Sequence, residues 1–280
     1  MRELKDKVAV VTGAASGIGR GLAQRFAEEG MRVVLADVES APLVSAVEEL
    51  QRAGHTAIGV RTDVSSADSV AALAQRTLDE FGAVHVVCNN AGVAGTALPA
   101  WELPLAAWRW MIDVNVLGVV HGIKSFVPLL VAQGEGHVVN TTSLAGLAGG
   151  VGSAPYTATK HAVVGLSESL KAELEATGSP VKVSLLVPGR VDTRIGEALR
   201  NWPAELGPVP EARREDRISN MPIPEVLAPM LRAPLPVDHV AGLVVEAIRG
   251  EYFWVITHPH EIRQLMGDRM RALTEDSKES

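Results

Sequence analysis

Val8-Ala-Val-Val-Thr-Gly-Ala-Ala-Ser-Gly-Ile-Gly19 decides the fold. The apolar run at 8–11 has no polar alternation, so it reads as a strand covered on both faces. It ends in a turn with glycines at 13, 17 and 19 and passes directly into an amphipathic stretch at 17–30. Glycines there permit a tight turn, close approach of backbone to a pyrophosphate, and close helix–strand contact. The helix that follows offers unpaired N–H groups and a partial positive charge to the same phosphates.

The alternation continues along the chain. Apolar runs at 32–36, 57–60, 84–88, 137–140, 181–187 and 252–257 read as strands, and 40–53, 66–80, 104–133, 154–177, 237–249 and 261–273 as helices. Repeated β-α units with right-handed crossovers place helices on both faces of a parallel sheet. The expected architecture is therefore α/β: one Rossmann-type domain over 1–280, a doubly wound parallel sheet of about seven strands. Gly30 and Gly54 stand where the first two helices should stop.

The pattern changes between 194 and 236, which hold eight prolines, at 203, 208, 210, 222, 224, 229, 234 and 236. Proline removes backbone donors and breaks helices. So long an irregular insertion in a compact domain is usually a binding loop, and here it is expected to be a substrate lid. Trp202, Met221, Leu227, Met230 and Leu231 give it an apolar side. A proline-rich surface excursion or an oligomer contact is the plainer alternative. Residues 275–280 read as a frayed polar tail.

Composition narrows the function. Of 280 residues, 47% are hydrophobic and 21% charged, and the net charge of −7 comes without a basic run, which argues against nucleic acid or an anionic membrane as partner. The charged N-terminus has no apolar leader pattern, and no uninterrupted apolar stretch is long enough to span a bilayer, so a cytoplasmic location is expected. Cys88, the single cysteine, excludes an intrachain disulfide and a thiolate cluster, and its apolar run makes it a buried, inert thiol. No metal site is expected. His258-Pro-His260 lacks metal-ligand spacing and carboxylate company and reads as a loop.

Two further stretches carry chemistry. Asp37 ends the second strand, about twenty residues beyond the glycine turn, where a carboxylate can accept both ribose hydroxyls of an adenosine and repel a 2′-phosphate. Val38, Glu39 and 14–16 supply no cation, so NAD is expected as cofactor, with NADP the lesser alternative. Capping of the next helix is the other use for Asp37. Tyr156-Thr-Ala-Thr-Lys160 puts a phenol and an ammonium one helical turn apart, with Ser143 upstream. A phenol is a poor base at neutral pH, and a fixed ammonium beside it is expected to lower its pKa. By itself that spacing occurs in many amphipathic helices.

Taken together these segments resemble the short-chain dehydrogenase/reductase family, over nearly the whole chain to about residue 193. The family's T-G-x-x-x-G-x-G is similar to 12–19, with Gly13, Ser16, Gly17, Ile18 and Gly19 at the cofactor. By the same resemblance Asp63-Val64 meets the adenine, and Asn90, Ala91 and Gly92 of Asn89-Asn-Ala-Gly92 line the cofactor. Pro188-Gly-Arg-Val-Asp-Thr193 resembles P-G-x-x-x-T, placing Pro188, Gly189, Val191 and Thr193 there too, with Thr193 on the nicotinamide carboxamide. The implied catalytic set is Asn115, Ser143, Tyr156 and Lys160. Tyr156 moves the substrate hydroxyl proton, Ser143 fixes that oxygen, Lys160 holds the nicotinamide ribose, and Asn115 anchors a water linking Lys160 to solvent. Departures are small: Thr142 replaces a common serine, and His161 points away from the Lys160 face, as a packed histidine.

The expected activity is hydride transfer between NAD(H) and a hydrophobic secondary alcohol or ketone, terpenoid- or steroid-like. Substrate contacts should come from the loop after Gly92, from 144–154 and from 194–236, with a carboxylate on Arg190, Arg194 or Arg200 possible. Trp108 and Trp110 are expected to pack their helix rather than touch substrate. The resemblance also implies a homo-oligomer, tetramer or dimer, through 104–133 and 154–177. Alternatives on the same scaffold are an NADP-dependent carbonyl reductase, an epimerase or dehydratase, and a cofactor-sensing protein without turnover.

Overall fold

The computed structural model describes residues 1–150, 152–210 and 233–275. Strands β1 (Val8–Thr12), β2 (Arg32–Asp37), β3 (Ala57–Arg61), β4 (Val86–Asn89), β5 (His137–Thr141), β6 (Lys182–Val187) and β7 (Trp254–Ile256) form one seven-stranded sheet in the order β3-β2-β1-β4-β5-β6-β7. Every pairing is parallel. The α-helices among the described residues are α1 (Gly17–Glu28), α2 (Ser40–Arg52), α3 (Ala67–Phe81), α4 (Leu105–Ile112), α5 (Gly118–Gln133), α6 (Ala154–Ala176), α7 (Val237–Gly250) and α8 (Pro259–Glu275).

Strand residues divide by parity, as a pleat requires. Ala9, Val11, Val33 and Leu35 join Phe26 of α1, Leu43 of α2 and Val244 of α7 on one face. Val8, Val10, Val34 and Ala36 join Leu73 of α3, Phe126 of α5 and Leu170 of α6 on the other. Two buried faces leave no position for polar alternation, so the strands read as unbroken apolar runs. Chain direction across the sheet reverses between β1 and β4, opening a crevice beyond their carboxyl ends. α1 and α2 end at Glu28 and Arg52, just before the two glycines expected to stop them.

Some boundaries differ from the sequence reading. β4 starts at Val86 rather than 84, because the His85 ring nitrogen Nδ1 takes the Val8 N–H and the regular ladder begins after it. The stretch 104–133 contains a π-helical turn, Asp113–Leu117, with Asn115 buried in it. That wider turn inserts a residue between α4 and α5 and re-aims the side chains around it. The continuous helical span Leu105–Gln133 is nevertheless long and apolar enough, by length and composition, to cross a membrane, which the charges at Arg109, Asp113 and Lys124 conceal in the bare sequence. Here it packs Phe126 and Leu130 into the sheet core.

Among the described residues of the 194–236 insertion are two 3-10 helices, Ile195–Asn201 and Ala204–Leu206. Its neck is pinned by Leu235, which donates its N–H to Arg190 O (3.0 Å) and accepts Asp192 N–H (2.9 Å). Met221, Leu227, Met230 and Leu231, expected on its apolar side, lie outside the described residues, as does the tail beyond 275.

Candidate active site

A cleft at the carboxyl ends of β1, β2, β4, β5 and β6 encloses about 1470 Å³ of empty space, open solvent included. Its lining includes Gly13, Ser16, Gly17, Ile18, Asp37, Asp63, Val64, Asn90, Ala91 and Gly92 from the first half of the chain. Ser143, Tyr156, Lys160, Pro188, Gly189, Val191 and Thr193 line it from the second. Two expected residues are not on its wall: Gly19 and Asn115 stand one layer behind.

Gly19 is there to let the turn close. A Cβ on it would lie 2.2 Å from Gly13 O and 2.6 Å from Asn90 Nδ2. Thr12 stitches the same corner together: its hydroxyl donates to Cys88 O (3.1 Å) and accepts the N–H groups of Asn90 (2.9 Å) and Ala91 (3.1 Å). The Asn90 amide returns a hydrogen bond to Thr12 O at 2.9 Å. The glycine turn and the 89–92 segment are thus one unit at the first turn of α1.

At the far end, the Asp37 carboxylate accepts Ala15 N–H (2.9 Å) and Glu39 N–H (3.0 Å). It does not cap α2, whose N-cap position is Glu39. One oxygen of Asp63 is taken by the N–H and hydroxyl of Ser65, at 2.9 and 2.6 Å. Glu39, Arg200 and Asn201 also line this end and were not singled out by sequence for it. Arg200 lies 161 positions from Glu39, a distance no local pattern bridges.

The opposite end of the cleft is built on β5 and α6. Ser143 follows β5 and its hydroxyl oxygen accepts Ala145 N–H at 3.2 Å. Its side chain also hydrogen-bonds the Tyr156 phenol. Burial pushes that phenol above its ordinary pKa, and the Ser143 hydrogen bond offsets only part of the rise. This corrects the expectation that Lys160 lowers it. Lys160 Nζ stands 5.6 Å from the Tyr156 ring centroid and donates to Thr141 O at 3.1 Å. Burial pushes its own pKa down to about 8.

Asn115 is wholly occupied with backbone and a neighbouring hydroxyl. Its Oδ1 accepts Val93 N–H (2.8 Å), while Nδ2 donates to Val93 O (3.0 Å) and Thr159 Oγ1 (3.1 Å). A Cβ on Gly92 would lie 3.3 Å from both Asn115 Oδ1 and Lys160 Nζ, so Gly92 separates the two. The role visible here is to fix the 92–93 backbone beside the ammonium. Sequence reasoning missed a buried polar ladder behind the site: Asn89 Nδ2 donates to Asn140 Oδ1, and Asn140 Nδ2 to Ser167 Oγ, each 2.9 Å. Ser167 lay within no recognised motif.

An apolar wall faces the phenol. Tyr156 packs into a cluster with Val93, Leu98, Trp110, Met111, Ala198 and Leu199. Trp110 stacks edge-on against Trp202 at 5.2 Å and also lines the cleft, so it both packs its helix and faces the cavity. His161 is held in its helix by Thr157 O (2.9 Å) and Arg269 (3.3 Å). No cluster of three or more potential metal ligands occurs among the described residues. Cys88 is fully buried, which pushes its thiol pKa up.

Glycine turn, crevice and a paired Tyr–Lys turn define a nicotinamide-nucleotide-dependent oxidoreductase scaffold. The short-chain dehydrogenase family model matches residues 7–204, and the chain belongs to that family. It is 43% identical over 198 residues, 70% of this chain and 73% of the other, to 1-deoxy-11-beta-hydroxypentalenate dehydrogenase of Streptomyces avermitilis. It is 40% identical over 244 residues, 87% of this chain and 94% of the other, to cis-4-hydroxycyclohexanecarboxylate dehydrogenase of Sinomonas cyclohexanicum. Among solved structures, a short-chain dehydrogenase/reductase from Burkholderia phymatum in complex with NAD superposes with a TM-score of 0.91 at 40% identity, covering 100% of this chain and 98% of that one. The protein is an oxidoreductase enzyme with a nicotinamide cofactor.

Proposed function

We propose that this enzyme oxidises an alicyclic secondary alcohol, or reduces the matching ketone, with NAD(H). The observation that carries the reading is the position of Tyr156: its phenol borders the cofactor cleft while its ring belongs to the apolar Trp110–Trp202 wall. A group that moves a proton is thus set where a hydrophobic ring would lie beside the dinucleotide. When bound, the dinucleotide takes up or supplies the hydride. Tyr156 takes the proton from the substrate oxygen in oxidation and returns it in reduction. Ser143 hydrogen-bonds the same oxygen and fixes its place. Lys160 holds the nicotinamide ribose through its ammonium.

The donor set fits the cofactor. Backbone N–H groups at the start of α1, a glycine turn that tolerates no added Cβ, and the Asp37 carboxylate match a pyrophosphate and an unphosphorylated ribose. Two named relatives act on hydroxy acids with a carboxylate, and Arg194 lines this cleft, so a ring bearing a carboxylate is the substrate class proposed. Ile112, Leu117 and Val131 are exposed on the α4–α5 side, which supports burial of that face in a homo-oligomer; light scattering on the purified enzyme tests the assembly.

Incubation with NAD or NADP and a panel of alicyclic alcohols, with and without a ring carboxylate, tests the activity through absorbance of the reduced cofactor. Tight NAD binding with no turnover across the panel would sink it. Tyr156→Phe should keep NAD affinity within about twofold and lower kcat by roughly 10²-fold or more, the usual contribution of a positioned acid–base group. Undiminished kcat would remove Tyr156 from the proton-transfer role.

A further inference from the structure

Four groups meet where the adenosine end of the cleft touches the start of the 194–236 insertion. Asp37 and Glu39 are separated by one residue, and the Glu39 N–H rests on Asp37 Oδ1 at 3.0 Å. From the 3-10 helix Ile195–Asn201 come Arg200, whose Nε donates to Glu39 Oε1 at 2.7 Å, and Asn201, whose Nδ2 donates to the same oxygen at 2.6 Å. Arg200 is further held by Arg194 O at 3.2 Å, and Arg194 pairs with Glu197 at 2.8 Å. All of Asp37, Glu39, Arg194, Arg200 and Asn201 line the cleft.

This arrangement changes the electrostatic reading of the sequence. The residues after Asp37 supply no cation, but the fold delivers one from the far side of the chain, bonded to the residue two positions beyond Asp37. A guanidinium is the side chain best shaped to take a phosphate through two parallel N–H bonds. Here it is turned onto a carboxylate instead. Burial alone raises the Glu39 pKa, yet the hydrogen bonds from Asn201 and Arg200 outweigh it, so Glu39 stays ionised.

We infer that Glu39 masks a latent 2′-phosphate site: by holding Arg200 and Asn201 it withholds from the cofactor a cation that would otherwise accept NADP. Discrimination at this end then has two parts. Asp37 repels a 2′-phosphate and accepts ribose hydroxyls, while Glu39 neutralises the arginine that would offset the repulsion. The inference rests on the NAD preference proposed above. It extends that preference to a residue of the 194–236 insertion, which links cofactor choice to the segment expected to cover the substrate.

Calorimetric titration with adenosine 2′,5′-bisphosphate and with 5′-AMP tests this without turnover, since neither ligand carries a nicotinamide. Glu39→Gln should tighten the bisphosphate about tenfold, on the order of one charge-assisted hydrogen bond, and leave 5′-AMP within about twofold. Adding Arg200→Met should abolish that tightening. An unchanged bisphosphate affinity in Glu39→Gln, an equal change for both ligands, or a tightening that survives Arg200→Met would each overturn the mask. Wild-type preference for the bisphosphate would instead overturn the NAD reading, while the Glu39→Gln increment still decides the mask.

Discussion

Replacing Lys160 by Met should change how stability depends on pH in a direction opposite to that of an ordinary ion-paired lysine. Lys160 is 3% exposed and its pKa is lowered from 10.5 to about 8 by burial. Its Nζ is held by the Thr141 carbonyl at 3.1 Å, which is no counter-charge. Between those two pH values the unfolded chain keeps this proton and the folded chain loses it. Stability therefore rises with pH across the window, because the unfolded state binds more protons there. Below about pH 8 the folded state carries the cost of a buried charge, about 3 kcal/mol for this shift. Integrated from about pH 7.5 to 9.5, wild type should gain about 2 kcal/mol relative to Lys160→Met. Paired urea denaturation curves at several pH values in that range, without cofactor, measure the difference directly. Titration of Tyr156, common to both proteins, largely cancels. A difference that is flat, or that falls as pH rises, would show that the Lys160 charge is compensated in the fold and would refute the reasoning.

Three other expectations are independent of Lys160. Gly19→Ala places a Cβ 2.2 Å from Gly13 O, so the turn must open; NAD affinity should fall at least about tenfold and stability by about 1–3 kcal/mol, and retention of both would contradict the close-contact argument. Ser167→Ala leaves a buried Asn140 N–H without its partner at 2.9 Å, which should cost about 1–3 kcal/mol in urea unfolding; an unmoved midpoint would mean the ladder adapts. Asp37→Ala removes the carboxylate that holds Ala15 N–H at 2.9 Å and should cut the NAD-over-NADP affinity ratio by about tenfold or more, whereas a constant ratio would place discrimination elsewhere.

Much of the architecture was legible because its causes are local. The sheet shows as unbroken Val, Leu and Ile runs because both of its faces are buried, and Gly13 and Gly19 show because a Cβ there would run into backbone. The spacing of Tyr156 and Lys160 fixes them on one helix by itself. Their protonation is another matter. Whether the ammonium depresses the phenol, or burial raises the phenol and depresses the ammonium, depends on how much water the surrounding strands exclude, and burial prevailed.

Other features exist only after folding. Asn115 stood out as one residue of a motif, but its partners at Val93 and Thr159 come from segments 22 and 44 positions away. The π-helical turn that carries it leaves no mark in a run that reads as one helix. Glu39 and Arg200 are unconnected charges in the sequence, read for different ends of the site; the fold brings them together as a pair. The sequence alone determined the sheet, the cofactor turn and the Tyr156–Lys160 turn, because periodicity and steric exclusion act over a few residues. Tertiary structure alone decided which charges meet and how dry they are, because Coulomb energy and desolvation depend on distance through space and not along the chain.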